Sequence, residues 1–271
     1  MRSGVCGWFP ALRCKFCRAS TLTPSPMNRL LTVLSVLISA GSSFADSGEL
    51  PKTFMTIRGK ELYADSLARL PERTTDKVRT FASGFTGWRF NAEPDGGRGG
   101  RWEASDDAFR GIESRGANHP ATASYGVRFQ DAIIQVEIRL NDVPAEGRKY
   151  RSVFVKATDK KDYVCGLFLG QGGLNLVPYS AERINPASKQ REKDPQVSVP
   201  HSIQLNEWYT VFLELKGSEA VGTVAGKTVK LTAPLFSAPK CSVMLGVGTD
   251  ASFRNLRIWE ALPNPAWRAE Q

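Results

Sequence analysis

The chain has 271 residues, with 36 Lys/Arg against 27 Asp/Glu, a formal charge of +9 and 41% hydrophobic residues, which excludes a disordered, collagen-like or multi-span membrane chain. Residues 1–45 hold five of the cations (Arg2, Arg13, Lys15, Arg18, Arg29) and no acid, so the remainder carries 31 cations against 27 acids, a charge of +4. So mild a balance, with its signs interspersed, predicts no nucleic-acid partner, because phosphate binding needs clustered cations.

From Met27 the chain runs through Asn28-Arg29 into an apolar stretch, Leu30 to Ile38, then small residues to Ser43-Phe44-Ala45 before Asp46. A positive start, a short apolar stretch and small residues at the cleavage positions predict a signal peptide over 27–45, hence export to a periplasm or the exterior. The stretch is too short for a stable span, so no membrane span is expected once it is removed. Residues 1–26, ahead of a good initiator, read as a mis-assigned upstream start, a genuinely extended leader being the alternative. Cys14-Lys15-Phe16-Cys17 lies there without a second pair, which makes it a weak metal or redox motif. The mature 226 residues then keep Cys165 and Cys241, each in an alternating apolar run that turns its thiol to the core. Export permits a bridge between them, and two free thiols are the alternative.

A polar lead-in follows over 46–79, where Pro51 and Pro71 confine any helix to about Lys60 to Leu70. Residues 80–262 read as strands and 263–271 as a tail. Alternating runs predict strands at Thr80–Phe85, Gly87–Asn91, Arg101–Ala104, Ala108–Glu113, Thr122–Phe129, Ala132–Leu140, Ser152–Ala157, Asp162–Leu169 and Leu174–Tyr179. More follow at Trp208–Lys216, Ala220–Ala225, Thr228–Thr232, Cys241–Gly248 and Ser252–Ala261. Between them, Ala181 to Pro200 is charged and reads as an exposed loop. Short strands with Gly-containing turns at Gly217 and Gly226 predict an all-β fold, a two-sheet antiparallel sandwich or jelly roll.

A resemblance then emerges along the chain. Thr56-Ile57-Arg58-Gly59-Lys60-Glu61-Leu62-Tyr63-Ala64-Asp65, Gly87-Trp88, and Arg101-Trp102-Glu103 leading to Phe109-Arg110-Gly111 resemble the opening of the 3-keto-disaccharide hydrolase family. Phe129-Gln130-Asp131-Ala132 with Glu137-Ile138-Arg139, then Asn206-Glu207-Trp208-Tyr209, and finally Phe253-Arg254-Asn255-Leu256-Arg257-Ile258-Trp259 continue it in order. The resemblance implies a concanavalin-like lectin/glucanase sandwich, a carbohydrate partner and hydrolase-like activity on glycosides. Where hydrolytic members carry Asn-Ser-Gly and then Tyr-Glu, this chain has Arg151-Ser152-Val153 and Tyr163-Val164. That departure favours a non-catalytic glycan-binding or cell-surface interaction domain as the alternative.

The ladder Ile134, Val136, Ile138, Leu140 must face the core, which turns Gln135, Glu137 and Arg139 to the opposite face. There Glu137 and Arg139 are expected to meet a sugar in a hollow, with Arg128, Lys156 and Asp162 lining the same face. The other expectation for these residues is an ordinary solvated ion pair. For the activity that the resemblance implies, His119, in a loop before a strand, is the candidate base that removes the C2 proton of a 3-keto sugar, and Glu137 the acid that protonates the leaving oxygen; the other expectation for His119 is a loop histidine bonded to neighbouring backbone. The cofactor stays unknown, a divalent metal polarising the ketone being one option. With only His119 and His201, no His-rich metal site is expected. Trp88 is expected to be the exposed, sugar-stacking tryptophan, and Trp102, Trp208 and Trp259 to be core.

Overall fold

A computed structural model describes residues 52–71, 86–90, 99–114, 116, 119–143, 152–159, 163–170, 173–178, 197–201 and 203–267. All of these lie in one compact unit, Leu50–Gln271. The strands are β1 (Thr56–Asp65), β2 (Gly87–Phe90), β3 (Gly100–Ser105), β4 (Ala108–Glu113), β5 (Ala121–Phe129), β6 (Ala132–Leu140), β7 (Ser152–Thr158) and β8 (Tyr163–Gly170). They continue as β9 (Gly173–Pro178), β10 (Val197–Val199), β11 (Trp208–Lys216), β12 (Glu219–Val224), β13 (Lys227–Thr232), β14 (Lys240–Val247) and β15 (Asp250–Pro263). Among the described residues, a 3-10 turn, Pro234–Ser237, precedes β14.

Two antiparallel sheets result. The first runs β13-β12-β11-β6-β15-β4-β3, with β1 added along the second half of β15; the other runs β10-β9-β8-β7-β14-β5-β2. This is the two-sheet sandwich that the alternating runs predict. The β11-β12-β13 meander turns at Gly217 (φ 55°) and Gly226 (φ 73°). Nothing lies within 4 Å of a side chain added at either, so backbone conformation alone demands glycine there.

Alternation decides what is buried. Ile134, Val136, Ile138 and Leu140 of β6 join Val211, Leu213 and Leu215 of β11, Val153 and Val155 of β7, and Val243, Leu245 and Val247 of β14 in one core. Each such side chain contributes roughly 1.5–3 kcal/mol on burial. Cys165 is in that core, Cys241 is buried too, and neither is in a disulfide.

The lead-in departs from expectation. Where the two prolines allow a helix over Lys60–Leu70, residues up to Asp65 form β1, hydrogen-bonded to the C-terminal strand in register from Thr56 opposite Pro263 to Asp65 opposite Leu256. A free sheet edge on β15 outcompetes local helix formation, since each residue laid on it gains a ladder partner. Similarly, Val197–Val199 of the expected charged loop pair with β9 as β10. The predicted strand Thr80–Phe85 and most of the charged stretch lie outside the described residues.

Candidate functional site

β6 places Glu137 and Arg139 on the face of the first sheet that points away from the core. Register then brings Trp208 of β11 opposite Arg139, and Ser252 and Arg254 of β15 opposite Arg139 and Glu137. A bulge in β15 between Arg254 and Arg257, with Asn255 at φ 53°, re-aims two successive side chains at one carboxylate. Arg254 Nε donates to Glu137 Oε2 at 2.5 Å, and Asn255 Nδ2 donates to Glu137 Oε1 at 3.0 Å.

The indole of Trp208 lies beneath both guanidinium groups, with Arg254 Cζ 4.2 Å and Arg139 Cζ 4.7 Å from its ring centre. Such cation–π contacts orient the planar groups as well as attracting them. The turn between β3 and β4 adds two acids: Asp107 meets Arg254 at 3.3 Å and Asp106 meets Arg139 at 3.9 Å. Glu137 (21% exposed), Arg139 (24%) and Arg254 (28%) all reach solvent, whereas Asp106 (78%) and Asp107 (69%) rim them.

The network continues along the sheet. Arg139 Nε donates to Asn141 Oδ1 at 3.1 Å, and Asn141 Nδ2 donates to Asp250 Oδ1 at 2.6 Å. Asp250 in turn takes both arms of Arg110, at 2.9 and 2.7 Å, a bidentate pair that raises the Arg110 pKa above its ordinary value. Towards β1 the same face is covered by the chain itself. Arg58 lies over the rings of Trp259 and Phe212, which with Ile133 and Ala261 make a small separate apolar cluster.

Chemically, Glu137 is an acceptor. Both of its oxygens accept from N–H donors, one of them cationic, so neither is left without a partner. What the cluster presents is a set of pre-oriented planar donors and acceptors beside an indole.

The remaining expected site residues fall elsewhere. His119 is exposed and leads into β5 of the second sheet, so it stands on a different sheet from Glu137. Lys156 and Arg128 belong to β7 and β5, also of that sheet, and line no common face with Glu137. Lys156 is 7% exposed, its Nζ 4.2 Å from the ring centre of Phe154 and 5.0 Å from that of Phe168. Sequence distance cannot report which strands share a sheet, and the sandwich separates these residues into two layers. Asp162 lies outside the described residues.

Trp88 is not exposed. At 3% exposure it sits in the core, edge-on to Phe109, with Nε1 donating to Tyr63 Oη at 3.0 Å. Trp208 also departs from expectation, being half-buried on the outer face of the first sheet; Trp259 is buried as expected, in the small cluster on that face, and Trp102 packs on the core, stacked against Phe109 at 4.5 Å. The signal for Trp208 was present: it shares parity with Thr210 and Glu214, opposite to Val211, Leu213 and Leu215. Arg254 and Asn255 were legible only through the bulge. His201 packs edge-on to Tyr209. Among the described residues, no group of three or more His, Cys, Asp or Glu is gathered as metal ligands, and no helix is long and apolar enough to cross a membrane.

No protein-family model matches this chain, and no curated protein does. Solved structures do. The CBM2 module of an evolved Dit from Lactobacillus casei BL23 phage J-1 superposes with a TM-score of 0.50 at 10% identity, covering 79% of this chain and 100% of the module. A mutant of SCLam, a non-specific endo-beta-1,3(4)-glucanase from family GH16 co-crystallised with an oligosaccharide, gives 0.50 at 9% identity, covering 78% and 99%. The carbohydrate-binding module CBM66 from Bacillus subtilis gives 0.48 at 12% identity, covering 65% and 96%. The two antiparallel sheets and the two superpositions at 0.50 make the fold a β-sandwich of the jelly-roll type.

Proposed function

We propose that this is an exported, carbohydrate-directed β-sandwich protein that recognises a glycan through the outer face of its first sheet without cleaving it. The observation that carries the reading is the Glu137–Arg254–Arg139–Trp208 arrangement, partly exposed and locked by its own ion pairs. Sugar hydroxyls need several fixed donors and acceptors beside an apolar ring face, and a cluster oriented before binding loses little entropy on contact. Export is supported by the signal-peptide pattern of residues 27–45. The carbohydrate-related names of the superposed structures agree with the reading without carrying it.

The alternative is a hydrolase acting on 3-keto-disaccharides, which rests on the ordered resemblance across residues 56–261. Its acid would have to be Glu137, whose two oxygens are already engaged by Arg254 and Asn255. A glycan array separates the two readings. Signal with the wild-type protein that is lost in Trp208→Ala and Arg139→Ala, with the circular-dichroism spectrum retained, is the expected result. Release of free sugar from a 3-keto-disaccharide, abolished by Glu137→Gln, would replace recognition with catalysis; no array signal and no release would end both.

A further inference from the structure

A cavity of about 600 Å³ opens where the ends of β5 and β14 meet the residue that follows β7. That volume lies inside the range of small-molecule sites. Phe129, Pro239 and Cys241 form its apolar wall, and Arg128, Lys240 and Asp159 bring the charges, two cations to one acid. Arg128 is exposed at the rim. Lys240 is the opposite, 2% exposed, with Nζ donating to the carbonyl of Gln130 at 2.5 Å and to that of Phe236. An ammonium has three donors, so these two bonds hold the cation in place and leave one. Asp131, whose charge favours the Lys240 ammonium, is engaged by Lys216 at 2.6 Å. Burial lowers the Lys240 amine to about 8, which leaves it protonated at pH 7.

We propose that this cavity binds a small acidic molecule, a sugar-sized carboxylate or phosphate, with its anionic group between Arg128 and Lys240 and its body against Phe129 and Pro239. A buried ammonium fixed by backbone carbonyls is a pre-oriented half of an anion site, and the exposed guanidinium of Arg128 supplies the other half on entry. The site is independent of the glycan face on the first sheet.

Isothermal titration of the full chain with D-glucuronate, D-glucose 6-phosphate and neutral D-glucose tests it. At least one acid should bind saturably and about tenfold or more tighter than glucose, and which acid does so identifies carboxylate or phosphate. Arg128→Glu, at an exposed position, should weaken that binding about tenfold or more while its melting curve stays that of the wild type. Trp208→Ala should leave it unchanged. The proposal is overturned if neither acid binds more tightly than glucose, if Arg128→Glu binds like the wild type, or if Trp208→Ala abolishes the binding, which would move the acid to the first sheet.

Discussion

The hydroxyl of Thr56 donates to the carboxylate of Glu214, 158 residues away, at 2.7 Å. The backbone N–H groups of Phe54, Met55 and Thr56 converge on the same carboxylate at 2.7, 2.8 and 2.8 Å. One buried acid on β11 thus anchors the lead-in just where β1 begins. Glu214→Ala leaves the buried amides of Met55 and Thr56, and the partly buried one of Phe54, without their acceptor and should lower the unfolding free energy by about 3 kcal/mol or more, read by urea denaturation. Glu214→Gln should recover part of it. A loss near zero in the alanine variant would mean the lead-in holds without this anchor.

Arg254→Ala removes the cation from Glu137 and one guanidinium from Trp208, both at partly exposed positions. Stability should therefore fall by only about 1 kcal/mol or less, as for other solvated pairs. Glycan affinity, measured on whichever ligand an array identifies, should fall about tenfold, because the remaining groups lose their fixed orientation. A large stability loss with unchanged affinity would mark the cluster as structural.

Tyr63 joins the edge of one sheet to the edge of the other. Its hydroxyl donates to Asp65 Oδ2 at 2.7 Å and accepts from Trp88, and its ring stacks on Tyr125 at 3.7 Å. Tyr63→Phe keeps the stack and strands the buried indole N–H, which should cost about 1–3 kcal/mol in thermal or chemical unfolding. No change would show that water replaces the hydroxyl.

A side chain at Gly246 would put its Cβ 1.9 Å from the ring of Phe154, which lies across β14 on the outer face of the second sheet. Gly246→Ala should destabilise by about 1–3 kcal/mol through overpacking. Combining it with Phe154→Ala should give less than the sum of the two single losses. Additivity in that double-mutant cycle would refute the contact.

Lys240 predicts a pH dependence whose sign follows from burial. Its amine is lowered to about 8 in the folded protein from an ordinary 10.5, so below pH 8 both states are protonated and the desolvation cost is fully present. Between pH 8 and 10.5 the unfolded chain binds more protons, and stability gains with rising pH. Cys165 and Tyr63, pushed up by burial, act in the opposite sense above their ordinary values. The measurement is therefore a difference: relative to Lys240→Met, the wild type should gain stability from pH 8 to 10. An unchanged difference across that range would show that the Gln130 and Phe236 carbonyls keep the ammonium charged.

Much of the sandwich was legible because a strand has a period of two and a core accepts only one of its faces. Ile134, Val136, Ile138 and Leu140 announced β6 and its inward side, and the paired glycines announced the β11-β12-β13 meander. β1 escaped this logic. Its residues Thr56-Ile57-Arg58-Gly59-Lys60 alternate poorly, and what makes them a strand is the open edge of β15 at the other end of the chain. Of the expected site, Glu137 and Arg139 could be placed on one face by parity alone, whereas Arg128 and Lys156 could not be assigned a layer.

Local alternation, together with the cost of exposing apolar side chains, was enough to give the all-β class, the inward and outward faces of strands such as β6 and β11, and the burial of both thiols. Which strands are neighbours, and with that which charges meet, came from the folded chain alone. Pairing between distant strands set Arg254 and Asn255 on Glu137, put Trp208 under two guanidinium groups, and drew Trp88 into the core. Those contacts depend on register and on one bulge, and neither is written in the spacing of residues along a single strand.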